Sequence, residues 1–145
     1  MSQTYIGSTL RTGSGTLTDT VDGGYVVVSQ TGTVTTAAAG TATSVSFTLP
    51  AYSQILNFFV DGVQVAVAGA GTATTAPVTI GTAAAGTQYL SATDAIAGGR
   101  IALAFTAAQT AAMADIGTNT TVVATVDPNG TIVTTQGIFR VTVTY

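Results

Sequence analysis

The clearest pattern along the chain is an alternation of apolar and small polar positions with a period of two. Over 41–49, Val45, Phe47 and Leu49 fall on one face and Ser44, Ser46 and Thr48 on the other, and Pro50 ends the run. That period argues for a half-buried strand. The last residues repeat it, with Phe139, Val141, Val143 and Tyr145 on one face and Arg140, Thr142 and Thr144 on the other. A further strand is expected over 25–35. There the run Tyr25-Val26-Val27-Val28 follows Asp22-Gly23-Gly24, whose residues favour a turn.

Two hairpins are predicted. Over 54–67, Asp61-Gly62 separates Ile55-Leu56-Asn57-Phe58-Phe59-Val60 from Val63-Gln64-Val65-Ala66-Val67, and an Asp-Gly pair between strand-like runs is a strong hairpin signal. The second joins 120–126 to 131–135 through Asp127-Pro128-Asn129-Gly130, whose residues fit a type I turn. A shorter strand is expected over 76–81, with Pro77 marking an edge. The stretch 83–99 reads as irregular. Over 107–115, five of nine residues are Ala, so helix propensity wins there for at most two turns.

Seven to nine short strands and almost no helix predict an all-β fold, an antiparallel β-sandwich or jelly roll with at most one short helix. Residues 1–20, rich in Gly, Ser and Thr, read as an N-terminal arm, and 21–145 as a single β-sandwich or jelly-roll domain. If the arm orders on a neighbouring subunit, Tyr5 and Ile6 are its natural anchors.

Composition narrows the chemistry. The 145 residues include 31 Thr, 24 Ala and 17 Gly, yet no Lys, Glu, His, Cys or Trp. Charged residues make up 6% of the chain, and 46% are hydrophobic with a net charge of −3. Disorder goes with low hydrophobicity and high net charge, so a packed domain is the better reading. With Arg11, Arg100 and Arg140 as the only side-chain cations, the chain cannot neutralise a run of phosphates, and nucleic acid is not an expected partner. Its longest apolar stretch, 55–71, is broken by Asn57, Asp61 and Gln64, which argues against a membrane span.

A nucleophilic Ser or Thr needs a base beside it, usually His or Lys, and neither type is present. Zinc sites combine Cys, His and carboxylates, and only scattered aspartates exist here. No cofactor and no enzymatic activity are therefore expected. Asp22, Asp61 and Asp127 sit in turn-like sequences, where Asp bonds its own backbone. Asp19 and Asp22 form the one close carboxylate pair in sequence, the place to look for calcium. Arg100 and Arg140 have two readings: surface cations paired with Asp, or bidentate contacts across a subunit or partner interface. Partner-binding candidates are therefore Tyr5, Ile6, Arg11, Arg100 and Arg140.

The segment ILNFFVDGVQVAVAGAGTATTAPVTIGTAAAGTQYLSATDAIAGGR, from Ile55 to Arg100, resembles the central part of small structural proteins of tailed-bacteriophage heads. Its marks are Val-Thr-Ile-Gly-Thr at 78–82, a Gly-containing turn, Gln88-Tyr89-Leu90, and Asp94 to Gly98. The ending from Gly137 to Tyr145, alternating Val closed by Tyr, is similar to that family's last strand. The resemblance implies a capsid decoration (cement) protein, a homotrimer on the outer capsid surface of the virion, assembled in the host cytoplasm. Its implied partner is the major capsid protein. A fibre-tip or adhesin-like module binding host-surface glycan is the alternative.

Overall fold

The computed structural model describes residues 26–36, 41–65, 67–68, 75–128, 133–135 and 137–145, with backbone alone at 67–68 and 133–135. The expected arm, with Tyr5, Ile6 and Arg11, lies outside the described residues, as do Asp19 and Asp22.

Ten strands and one short helix follow in order among the described residues: β1 (Ser29–Thr35), β2 (Thr43–Leu49), β3 (Asn57–Gln64), β4 (Val67–Ala68), β5 (Pro77–Gly81), β6 (Leu90–Asp94), β7 (Gly99–Arg100), α1 (Ala107–Met113), β8 (Thr120–Val126), β9 (Val133–Thr135) and β10 (Ile138–Thr144). The strands form an antiparallel β-sandwich. One sheet has the order β1-β10-β3-β7, the other β2-β8-β5-β6, and β4 pairs with β9 as a small ribbon. The pairs β1/β10, β2/β8, β3/β7 and β5/β6 are nested in the sequence, like a long hairpin folded at 82–89. Rolling such a hairpin into two sheets yields the double Greek key of a jelly roll.

Alternation decides which side chains go inside. Val34, Phe58, Val60, Phe139, Val141 and Val143 come from one sheet, and Phe47, Leu49, Val78, Ile80, Leu90, Val122, Ala124 and Val126 from the other. These form one core cluster, closed by Ile55, Tyr89, Met113 and Ile116. Gly32 sits where β1 passes over β2: a Cβ there would stand 2.5 Å from Val45 Cγ2. Only a residue without a side chain lets the two sheets approach this closely.

In β8, unlike the other strands, burial is continuous from Val122 to Val126. The outward Thr125 is covered by the β5–β6 connection, since Ala85 N–H donates to Thr125 Oγ1 (2.9 Å) and the Ser44 hydroxyl shares a hydrogen bond with the same oxygen (2.8 Å). Helix α1 begins with a capping box. Gln109 N–H donates to Thr106 Oγ1 (3.2 Å), and Thr106 N–H donates to Gln109 Oε1 (2.9 Å). The Gln109 amide also donates to Thr87 O and Ser91 Oγ, so the helix is tied to the β5–β6 connection and the start of β6.

Five expectations change. Asp61-Gly62 is not a turn, because β3 runs straight through it from Asn57 to Gln64. Gly62 is there for close packing, as a Cβ would lie 2.7 Å from Gly98 Cα. The second hairpin is also absent from the pairing: β8 lies between β2 and β5, and β9 pairs with β4. Pro77 opens a central strand, flanked by β8 and β6, where the first position tolerates the missing N–H. The stretch read as irregular contains β6 and begins β7. The apolar start at 26–28 adds no strand residues, and Val26 and Val27 are exposed.

Candidate interaction face

The outer face of the β1-β10-β3-β7 sheet gathers the chemistry that the sequence scatters. Register places side chains in rows across it. Ser29, Thr144 and Asn57 form one row, and Thr31, Thr142 and Phe59 the next. Thr33, Arg140, Asp61 and Arg100 form the third. The first two rows are tied by hydroxyl pairs, Ser29 with Thr144 (3.0 Å) and Thr31 with Thr142 (2.9 Å). β-Branched Thr holds its rotamer on a strand, so these hydroxyls form an ordered surface with little side-chain entropy to lose on docking.

The third row alternates charge. Arg100 Nε donates to Asp61 Oδ1 (2.5 Å) and its terminal nitrogen to Oδ2 (3.1 Å), a bidentate fork. The guanidinium carbon lies 4.7 Å from the centre of the Phe59 ring, a cation–π arrangement. Asp61 is 22% exposed and Arg100 62%. The hydrogen bonds from Arg100 hold the Asp61 carboxyl below the ordinary value of 3.8; partial burial opposes this, and the charges of Arg100 and Arg140 add to it. Asp61 in turn raises the pKa of Arg100.

Arg100 and Arg140 are thus brought together on either side of one carboxylate. Arg100 has the Asp partner that one of its two readings required. Arg140 is exposed and acts on Asp61 through its charge. Sequence reasoning missed Asp61, read as a turn residue, and Phe59, read only as part of a strand-like run. The available signal was the unbroken alternation of Phe58 and Val60 with Asn57, Phe59 and Asp61, which continues a strand through Asp61.

The face offers hydroxyls, one carboxylate and two guanidinium groups, and no hydroxyl on it has a His or Lys beside it. The other described carboxylates serve the backbone or stand alone: Asp94 Oδ1 accepts from Ala76 N–H (2.7 Å) and Ile96 N–H (3.1 Å). Among the described residues no three His, Cys, Asp or Glu side chains group closely enough to hold a metal ion, and no helix is long and apolar enough to cross a membrane. No protein-family model, curated protein or solved structure matches the chain.

Proposed function

We propose that the protein is a structural docking module, a capsid decoration protein that binds the outer surface of a tailed-phage head and stabilises the shell. The observation that carries this reading is the outer face of the β1-β10-β3-β7 sheet, with its ordered hydroxyl rows beside an Arg140–Asp61–Arg100 row. Such a face suits contact with another protein. It carries few flexible charged side chains to immobilise, and the Arg140 guanidinium matches carboxylates and carbonyls across an interface. A protein that binds the assembled shell and not loose subunits adds its binding free energy to shell stability.

Glycan binding fits the face less well. Sugar sites use an aromatic ring with a few placed polar groups, and the Phe59 ring here already carries the Arg100 guanidinium.

The test is co-sedimentation of the purified chain with empty heads and with host envelopes. Binding to heads, weakened by Arg140→Ala and by raised salt, is expected. Binding to envelopes and not to heads would overturn the proposal in favour of the adhesin-like alternative.

A further inference from the structure

The backbone of β1 is complementary to itself, and nothing among the described residues covers its outer edge. Val28 and Tyr145 exchange two backbone hydrogen bonds (2.8 and 2.9 Å), and at the far end Thr36 N–H donates to Gly137 O (2.9 Å). Bonded and non-bonded pairs alternate along an antiparallel ladder. Gln30, Gly32 and Val34 therefore direct their N–H and C=O groups to β10. Ser29, Thr31, Thr33 and Thr35, all exposed, present theirs to the open side.

Natural edge strands are normally blunted by charge, proline, a bulge or extreme shortness. β1 has none of these. Its sequence, SQTGTVT, is uncharged, and its register with β10 is unbroken. The Ser29 and Thr31 hydroxyls bond back to β10 and so do not cap the edge themselves. At the other edges of the two four-stranded sheets, pairing is curtailed or partly taken up. β7 has two residues, β6 ends in Asp94 and shifts register against β5, and in β2 the Thr48 carbonyl accepts from the Gln30 side-chain amide (3.0 Å).

We propose that β1 is a self-association edge, at which two copies of the chain pair β1 with β1 antiparallel about a two-fold axis at Gly32 and join their sheets into one. With that axis, Thr31 meets Thr33 of the second copy and Ser29 meets Thr35. Every outward N–H then faces an outward C=O, with no like charges opposed. The non-bonded pair, where antiparallel backbones approach closest, falls on Gly32, which has no side chain to crowd its own copy. An unrelated strand would satisfy the hydrogen bonds too, but the parity that centres the open groups on Gly32 makes a second copy the matching occupant. This pairing is independent of the capsid reading and differs in symmetry from the trimer that the resemblance implies.

Sedimentation velocity of the full chain over about a hundredfold range of concentration tests it, because a dimer's population follows mass action. A reversible monomer–dimer equilibrium is expected. Thr33→Pro removes an outward donor from each copy without breaking a bond to β10. It should weaken the dimer by about tenfold or more while the circular dichroism spectrum is unchanged. If that variant does not fold, cross-linking decides. Residues 31 and 33 of opposite copies would lie about 5.5 Å apart at Cα, within disulfide reach. Oxidising a mixture of T31C and T33C chains should therefore yield a linked heterodimer faster than either chain alone forms a homodimer. A chain that is monomeric throughout, a trimer, a dimer indifferent to T33P, or cross-linking no faster in the mixture than in the single chains would each overturn the proposal.

Discussion

At the scale of single residues, two positions carry more than their size suggests. Gly32 packs directly against β2, so Gly32→Ala sets a methyl group against Val45. Overpacking of this kind costs about 1–3 kcal/mol. The double variant Gly32→Ala/Val45→Ala should recover most of that loss in denaturant unfolding; no recovery would mean the strain lies in the β1 backbone itself. Asp61 has a pH signature. Its folded pKa lies below the unfolded value of 3.8, so its contribution is present above that pH and is lost as pH falls through the folded value. The pair is exposed, so the effect is small. A thermal melt comparing neutral pH with strongly acidic pH should show the wild type losing slightly more stability than Asp61→Asn. An identical acid loss in both would show that the carboxylate contributes nothing.

At the scale of elements, the strands were legible wherever one face is buried and the other wet. β2, β8 and β10 lie where the alternation or apolar run places them, and α1 lies within the Ala-rich stretch. The two hairpin errors came from turn chemistry. Asp-Gly at 61–62 looks like a hairpin because the same two residues suit a tight turn. Here Asp61 serves an ion pair 39 residues away, and Gly62 serves the close approach of Gly98. No local window contains either partner. In the small helix, buried Gln109 closes the capping box and reaches Thr87 and Ser91. Thr106→Ala removes the cap alone, at about 1 kcal/mol. Gln109→Ala removes the other half of the box and both ties to Thr87 and Ser91, and each lost hydrogen bond is worth about 0.5–1.5 kcal/mol. Chemical denaturation should rank Gln109→Ala as the more damaging; the reverse order would show that the ties to the β5–β6 connection are dispensable.

At the scale of the whole molecule, composition and alternation made a sandwich legible, but not which strand lies beside which. The outermost pair of the nest joins Ser29 to Thr144 across 115 residues, and no sequence spacing announces it. The interaction face was hidden for the same reason, because Thr33, Arg140, Asp61 and Arg100 form a row only after three strand pairings are in place. That nesting also leaves Val28 and Tyr145 bonded side by side. A load applied at those two points pulls β1 and β10 apart like a zipper, rupturing one rung at a time. Handles at Thr35 and Tyr145 instead drag the same two strands lengthwise, so that all the rungs share the load. In an optical trap the first attachment should give way at clearly lower force than the second. Equal forces would mean that the resistance resides elsewhere than in the β1/β10 ladder.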